Sequence, residues 1–404
     1  MGSAGFAAQA SAASTPSAKA PTGPPLKIGF YYPVSANPVG SVLPMALSAA
    51  RAAIRAINTS GGAHGSPLQL DFCDPKENPN TAAACARQFI ADGDVAVAGS
   101  FSTQGGTVIV PALTAAGIPS LGVYPLAGAD LTSPLAFPIS GGSIAAFAAA
   151  PYFLKQAGAK KIFFPYVSGS AGALANEAYV KAGAAKVGST FVGDVGIPGT
   201  APDLSPYIAT VKSSGADAVV LGIPEAQSIQ FIEQAAQQGL NVKYEFIGFL
   251  PDNVQKLGPL LNNLVVPNPY PPATSATEQQ FPTLKQFATE MAAEAKSGDQ
   301  YAAQKYWFPI HTESPWFAVH FAANVINAIP KSQTVTPQTV LTVAQGVQHE
   351  NPLGVGPSFN WTQPKIAKFP RLENTFVYWA TIKNQKYVLV RNKPVDILAV
   401  SSFG

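Results

Sequence analysis

Charged residues are scarce in this sequence. Lys and Arg number 25 and Asp and Glu 22 among 404 residues, so the net charge is only +3. A charge this small, with no basic cluster interleaved with aromatic residues, argues against a nucleic acid as partner. No apolar run has the length that crosses a bilayer, so no membrane-spanning segment is expected. The length indicates roughly two to three domains, and a hydrophobic content of 47% indicates well-packed cores.

Residues that carry catalysis or bind metals are also few. The four histidines are scattered, and His311 and His320 lack the one-turn spacing of a helical metal pair. The sequence has neither a Gly-x-Ser-x-Gly nucleophile elbow nor a phosphate-binding loop that ends in Gly-Lys-Ser/Thr. Two cysteines without a nearby histidine do not complete a zinc site. We therefore expect no catalytic residue, no metal and no cofactor.

Residues 1–26 differ in composition from the rest of the chain. Ala, Ser, Pro, Gly and Thr dominate there, and Lys19 is the only charged side chain. Such a segment cannot bury enough apolar surface to offset the entropy of ordering it, so we expect a disordered leader or tether. Ala8-Gln9-Ala10 fits the remnant of a cleaved export signal, and a merely flexible leader is the alternative.

What the sequence does contain is a repeated strand–helix–strand pattern. A strand over Lys27–Tyr32 is followed by a helix that should end at Asn58 and Gly61-Gly62, where left-handed backbone conformations are expected. A turn then leads into the alternating run Leu68–Phe72. This order predicts a βαβ unit and hence a parallel sheet.

The same pattern recurs after residue 142 and predicts a second doubly wound sheet, starting with helix Ser143–Gln156 and strand Lys161–Tyr166. The proline-rich run Pro267–Pro272 cannot continue a strand or helix, so we expect a crossover there. One long helix, Glu278–Lys296, should return to the first sheet. Apolar and polar residues alternate over Phe376–Ile382 and Tyr387–Val390, which predicts a hairpin that returns to the second lobe.

The stretch Ile57–Asp71, together with Cys73-Asp74-Pro75-Lys76, resembles the first lobe of the leucine/isoleucine/valine-binding family of periplasmic solute-binding proteins. The resemblance implies the type I periplasmic binding fold, an α/β architecture of two Rossmann-like lobes with parallel sheets joined by a three-strand hinge. It implies a first lobe of residues 27–140 plus 268–355 and a second of 141–267 plus 356–404.

The resemblance also implies a function. Members of this family are extracytoplasmic solute-binding components of ABC importers, which capture a small molecule by closure of the lobes and deliver it to a membrane permease. We expect an exported monomer in the periplasm or at the cell surface, with a lipid anchor in the precursor as one option. A ligand-sensing receptor domain and, less favoured, an enzyme on the same fold are the alternatives.

Ligands of open parallel sheets bind at the carboxyl ends of the strands. Gly99-Ser100-Phe101-Ser102-Thr103 is such a place, where hydroxyls and helix-terminal N–H groups suit a carboxylate. By resemblance, Ser100 grips the carboxylate of the ligand. For Ser102 and Thr103 the alternative is that they only cap the next helix.

Other family positions depart from the pattern. The resemblance places contacts at Leu126 and Ala127, but Ala127 lacks the expected hydroxyl, and Ala171 stands where an aromatic lid is expected. The acid that pairs with a ligand ammonium falls near Asp252, with Glu225 as the alternative. These departures favour an apolar or aromatic carboxylate over a branched-chain amino acid. Further expected ligand contacts are Tyr32, Val39, Phe101, Tyr124, Phe249 and Trp316.

The two cysteines lie in one βαβ unit. Cys73 ends the second predicted strand and Cys85 lies in the following helix, so the pair can form a short disulfide if the linking loop folds the helix back. Two free buried thiols are the alternative. We favour the disulfide.

Overall fold

The computed structural model describes residues 20–37, 42–126, 128–346 and 358–403. Residues 1–19 of the expected leader lie outside this range. Residues 20–26 do not fit the expectation of disorder, because the N–H groups of Thr22 and Gly23 both bind the carbonyl of Gly65, at 3.1 and 2.9 Å. None of the helices in the described ranges combines the length and the apolar character needed to cross a membrane.

The first lobe is built on a five-stranded sheet in which every pairing is parallel, with the order β2-β1-β3-β4-β5. A π-helical turn, Gly105–Ile109, precedes the third helix. The elements are β1 (Leu26–Tyr31), α1 (Pro44–Thr59), β2 (Leu68–Cys73), α2 (Pro79–Ala91), β3 (Ala96–Ala98), α3 (Val110–Ala115), β4 (Ser120–Leu121), α4 (Ala129–Thr132) and β5 (Ala136–Phe137).

Helix α1 ends where the sequence predicts, but for a partly different reason. Gly61 and Gly62 have φ of 104° and 76°, a region that only glycine enters without strain. Asn58, expected to be left-handed, lies within the helix instead. Its side-chain amide donates to the carbonyl of Leu68 at 2.9 Å and accepts the Leu68 N–H at 2.7 Å. Asn58 therefore fixes the start of β2 against the end of α1.

The second lobe repeats the plan with a parallel sheet of order β7-β6-β8-β9. Its elements are α5 (Gly142–Gln156), β6 (Lys161–Val167), α6 (Ala171–Val187), β7 (Thr190–Ile197), α7 (Ser205–Ser213), β8 (Ala218–Val220), α8 (Glu225–Gln237), β9 (Lys243–Glu245) and α9 (Pro251–Leu257). Two parallel sheets in an α/β chain confirm the fold class predicted from the sequence.

The prediction that Pro267 cannot lie in a strand was wrong. Pro267 is the middle residue of a strand and pairs with Trp379. On the side facing β9, the one bridge among the described residues joins Glu245 to Val265, one residue before this strand begins. Pro267 therefore has no described ladder partner on that side, and its missing N–H leaves no hydrogen bond unmade there. The hairpin predicted at the end of the chain is present, and its first strand pairs with this strand in a sheet separate from β7-β6-β8-β9. These elements are β10 (Val266–Asn268), β11 (Phe376–Lys383), β12 (Lys386–Leu389), β13 (Val395–Asp396) and α14 (Ile397–Val400).

The long helix expected over Glu278–Lys296 is two helices. Phe281 is extended, with φ −123° and ψ 100°, because a residue that precedes proline is disfavoured in the helical region; Pro282 then starts the next helix. The helices are α10 (Ser275–Gln280), α11 (Pro282–Lys296), α12 (Glu313–Asn327) and α13 (Pro337–Gly346). The last three contribute buried side chains to the core of the first lobe.

Three crossovers connect the lobes, and one carbonyl group ties them together. The carbonyl of Ile139 accepts hydrogen bonds from the Tyr270 hydroxyl at 3.3 Å and from the Asn374 amide at 2.9 Å. Phe359 and Trp361 pack in the core of the first lobe, whereas Leu372 packs in that of the second. We therefore propose that the third crossover begins after Trp361 rather than at residue 356.

Candidate functional site

Aromatic side chains from both lobes meet where the carboxyl ends of the two sheets face each other. Phe101 lies in the centre of the first-lobe side, with ring centroids 5.5 Å from Tyr32, 5.8 Å from Tyr124 and 5.0 Å from His311. We call the following residues the interlobe aromatic cluster: Tyr32, Phe101, Tyr124, Phe308, His311 and Tyr387.

Tyr32 and His311 form the polar centre of this cluster. The Tyr32 hydroxyl lies 2.9 Å from His311 Nδ1. Burial lowers the pKa of His311 to about 3, because a charged imidazole is poorly solvated there. Burial also raises the pKa of Tyr32 well above its usual value, with Tyr124 adding to the effect. Both groups are therefore neutral at physiological pH and can exchange hydrogen bonds without carrying charge.

Tyr387 supplies the second-lobe side of the cluster. Its ring stacks on Phe308 with centroids 5.4 Å apart and planes 13° apart. Its hydroxyl accepts the Phe249 N–H at 2.7 Å and donates to the Phe249 carbonyl at 2.5 Å. Gly248 has φ 136° and sits against the Phe308 ring, where a side chain would collide. The Phe308–Tyr387 stack therefore joins the two lobes directly.

Ser100, expected to hold the polar end of a ligand, is committed to the backbone. Its hydroxyl accepts the Tyr31 N–H at 3.1 Å and donates weakly to the Ala98 carbonyl at 3.5 Å. The side chain is 1% exposed. These bonds tie the loop after β3 to the end of β1. A ligand contact by Ser100 stays a prediction.

The carboxylate predicted at the Ser102–Thr103 loop is present, but it belongs to the chain itself. Glu77 accepts hydrogen bonds from the Ser102 hydroxyl at 3.2 Å, from the Thr103 N–H at 2.9 Å and from the Thr103 hydroxyl. Burial raises the pKa of Glu77, and these hydrogen bonds oppose that shift. Ser102 also accepts the Gln104 N–H at 3.0 Å, which closes a turn before the helical segment, whose N-cap is Gln104 without a side-chain cap.

The loop after β4 lies against the start of the second lobe. Tyr124 is buried, and the carbonyl of Leu126 accepts a hydrogen bond from the Ser143 hydroxyl at 3.2 Å. The Leu126 N–H binds the carboxyl of Asp130 at 3.3 Å. Val39 and Ala127 lie outside the described residues, and of Ala171 only the backbone, at the start of α6, is described.

The remaining predicted contacts lie away from the cluster centre. Phe249 packs into the second-lobe core, 4.6 Å from Phe246 between ring centroids. Trp316 packs into the first-lobe core, where its indole N–H donates to Glu290 at 2.7 Å. Asp252 is exposed in the first turn of α9.

Glu225, the alternative acid, is half-buried and already engaged. One of its oxygens accepts the Leu250 N–H and the Asn253 amide, each at 2.7 Å. These bonds hold the loop between β9 and α9 against the start of α8. The structure thus brings together Tyr32, Phe101 and Tyr124 from the predicted set, and places neither predicted acid with a free carboxylate in the cluster.

Glu245, at the end of β9, is an acid that sequence reasoning missed. Its side chain is fully buried, and within the described part of the chain neither carboxyl oxygen has a hydrogen-bond partner. Burial raises the pKa of this carboxyl well above its usual range. Tyr124 lies close enough to interact electrostatically with Glu245. Burial raises the pKa of Tyr124, and the charge of Glu245 raises that pKa further. A protonated acid with unused hydrogen-bonding capacity therefore lies close to the cluster.

Signals for the missed residues exist in the sequence. Glu245 stands directly before the apolar run Phe246–Leu250, and a carboxyl side chain is unusual at a buried position. Phe308 and His311 lie in the run Trp307-Phe308-Pro309-Ile310-His311, whose aromatic content before a helix is high for a connecting segment. Such local signals mark these residues as unusual, although they do not indicate which residues they contact.

Cys73 and Cys85 form a disulfide, with Cα atoms 5.5 Å apart. The bond fixes the end of β2 to α2, which carries the loop that presents Glu77. Both cysteines border a small apolar core with Phe89 and Val97. Nowhere in the described ranges do three His, Cys, Asp or Glu side chains come together as metal ligands would.

Two Rossmann-like lobes joined by three crossovers, with an aromatic cluster between them, define a type I periplasmic binding architecture. The chain belongs to the periplasmic binding protein family, whose members match it over residues 25–363. The resemblance seen in the sequence is therefore confirmed. No curated protein matches the sequence.

Several solved structures share the fold. A possible leucine/isoleucine/valine-binding protein from Rhodopirellula baltica SH 1 is 15% identical, with a TM-score of 0.71 over 94% of this chain and 98% of the other. A solute-binding protein of an ABC transporter from Rhodopseudomonas palustris HaA2, in complex with p-hydroxybenzoic acid, is 18% identical, with a TM-score of 0.72 over 94% and 98%.

A fatty acid ABC transporter substrate-binding protein from Thermomonospora curvata is 14% identical, with a TM-score of 0.74 over 94% of this chain and 95% of the other. At these identities the likeness establishes the fold alone.

Proposed function

We propose that this chain is the extracytoplasmic solute-binding component of an ABC importer and that it holds a small apolar or aromatic carboxylate between its lobes. The observation that carries the proposal is the interlobe aromatic cluster, in which Phe308 from the first lobe stacks on Tyr387 from the second. A ligand held there touches both lobes, so its contacts favour the closed state over the open one.

The chemistry of the cluster supports this class of ligand. Aromatic walls bury a ring or alkyl body, and apolar area removed from water contributes about 25 cal/mol per Å². The neutral Tyr32–His311 pair and the protonated Glu245 offer hydrogen bonds without a fixed charge. Two of the fold's solved relatives are named for p-hydroxybenzoic acid and for fatty acid, and ligands of that kind suit these walls.

The family supports the remaining parts of the proposal. We expect an exported monomer that works outside the cytoplasm and delivers its ligand to a membrane permease. No nucleic acid takes part, in keeping with the low net charge of +3.

A thermal-shift screen tests the proposal. The panel contains benzoate, 4-hydroxybenzoate, medium-chain fatty acids and the branched-chain amino acids. A ligand at about 100 times its dissociation constant should stabilise the protein by roughly 2.7 kcal/mol.

Phe101→Leu should weaken binding of the best compound, whereas the same exchange at Phe191, on the second-lobe strand β7, should not. If the two variants bind equally well, the cluster is not the ligand site.

A further inference from the structure

A cavity of about 340 Å³ lies beside the aromatic cluster, on its flank. One wall is the first-lobe segment that precedes α12, including Lys305, Trp307 and Pro309. The facing wall is made by α9 and by the start of β12, including Lys386. Both lobes therefore contribute to this space, which we call the flank cavity.

The flank cavity is separate from the aromatic cluster. Tyr387 lines the cavity, and its ring stacks on Phe308. Because the Tyr387 hydroxyl is bound to the backbone of Phe249 in both directions, this ring is fixed in place. Tyr387 is the one member of the cluster that lines the flank cavity, so its ring lies between the cavity and Phe308.

The flank cavity has a positive mouth. Lys305 and Lys386 line it, both are exposed, and neither forms an ion pair among the described residues. Among the described residues that line it, the one acid is Glu313, which is fully buried and accepts the Ala273 N–H at 3.1 Å and the Thr312 hydroxyl at 2.6 Å. Burial raises the pKa of Glu313 to about 7, which weakens its negative charge near neutral pH. The balance of charge therefore favours an anion.

Part of the lining is apolar and rigid, beside the polar side chains of Gln255, Thr274, Gln304 and Gln385. Pro251, Pro272 and Pro309 are conformationally restricted, and Trp307 is held by its indole N–H, which donates to the Ala302 carbonyl at 2.9 Å. The volume lies at the low end of the range of small-molecule pockets, about 300–1,000 Å³. A compact molecule with a ring fills such a space.

We propose that the flank cavity is a second small-molecule site, which takes an organic anion with a ring or short alkyl body and thereby holds the lobes together. The apolar body packs on Trp307 and the prolines, and the anionic group faces Lys305 and Lys386. The proposal does not depend on which ligand the aromatic cluster holds. It gives the protein a site through which an anion stabilises the closed state by binding to both lobes.

Calorimetry on the full chain with benzoate, and with benzamide as its neutral counterpart, tests the proposal. Benzoate should bind at least about tenfold more tightly than benzamide, and the double variant Lys305→Gln/Lys386→Gln should weaken benzoate by about tenfold. The matched control Lys383→Gln/Lys393→Gln changes exposed lysines of the same hairpin region outside the cavity and should bind benzoate as the wild type does.

Two further variants separate the flank cavity from the cluster. Gln255→Trp places a bulky side chain on the exposed α9 residue that lines the cavity and should abolish benzoate binding there. Trp307→Phe should remove the fluorescence change that benzoate causes in the wild type. Binding of two benzoates, one of which is lost in Gln255→Trp, would also support the site.

Three results would overturn the proposal. One is that the wild type binds no benzoate at about 10 mM, a concentration above the usual range of constants for small-molecule substrates. Another is equal binding to the lysine variant and to its control. The third is binding that Phe101→Leu abolishes while Gln255→Trp leaves it intact; this would place benzoate in the aromatic cluster and leave the proposed function standing.

Discussion

The carboxylate of Glu77 accepts the backbone N–H of Thr103 at 2.9 Å. An internal acid thereby occupies the loop whose donors, in the sequence, suit the carboxylate of a ligand. Glu77 has φ 48°, a left-handed conformation that is costly for a residue with a side chain and persists only when its surroundings fix it. The loop after β2 and the loop after β3 are therefore held together by one side chain.

Glu77→Gln should destabilise the folded protein by about 1–3 kcal/mol, because it weakens the charge-assisted hydrogen bonds that the buried Glu77 accepts from Ser102 and Thr103. Denaturant unfolding measures the change. Asp252→Asn, the matched exchange at an exposed acid, should have almost no effect. Equal stability of the two variants would show that the Glu77 contacts contribute nothing.

Features that depend on local backbone chemistry were predictable from the sequence. The end of α1 at Gly61-Gly62 is one example. The break before Pro282 follows from the same kind of chemistry, although one continuous helix is predicted over Glu278–Lys296. The strand–helix alternation that defines both lobes was predicted because each unit is contiguous in the chain.

The site depends instead on contacts between residues far apart in the sequence. Tyr32 and His311 are separated by 279 positions, and no periodicity relates them. Tyr387 was predicted as a strand residue of the second lobe, but its stacking on Phe308 follows from how the lobes meet. Pattern analysis locates strand ends, and packing decides which side chains face one another there.

Ser100→Ala should lower the free energy of unfolding by about 1–3 kcal/mol, since it leaves the buried Tyr31 N–H without its acceptor. Ser213→Ala, at an exposed hydroxyl on α7, is the matched control. If Ser100 also contacts the ligand, the affinity of the best compound from the screen will fall in the same variant. A loss of stability with unchanged affinity would assign Ser100 a purely structural role.

The Cys73–Cys85 disulfide should contribute about 2–4 kcal/mol to stability, by restricting the unfolded chain. Replacing both cysteines by alanine and comparing unfolding midpoints under non-reducing conditions measures this. Intact exported protein should have a mass about 2 Da below that of the reduced chain. Two thiols open to alkylation in natively exported material would contradict the assignment.

The buried acid Asp94 should make stability depend on pH. Its side chain is fully buried, and both oxygens lack partners among the described residues. Burial raises the pKa of Asp94 to about 8, with Asp71 and Asp92 adding to the rise and Lys27 opposing it. The folded-state pKa lies above the unfolded value, so the stabilisation is complete below about pH 4 and is lost as the pH rises through about 8.

Asp94→Asn should remove this component. Unfolding curves for the wild type and the variant between pH 4 and 9 give the difference, which should change most between the two pKa values. Asp252→Asn again serves as the control. A wild-type profile that parallels that of Asp94→Asn would show that Asp94 does not titrate in this window.

Branched-chain amino acids should bind poorly. Asp252 is exposed and is not part of the cluster, and Glu225 already accepts hydrogen bonds from Leu250 and Asn253, so neither is an unengaged carboxylate within the cluster. A buried ammonium without a partner costs several kcal/mol. Calorimetry with leucine, isoleucine and valine checks the prediction against an aromatic acid such as 4-hydroxybenzoate, which should bind more tightly. Sub-micromolar affinity for leucine would contradict it, and loss of that affinity in Glu245→Gln would identify Glu245 as the acid that holds the ammonium.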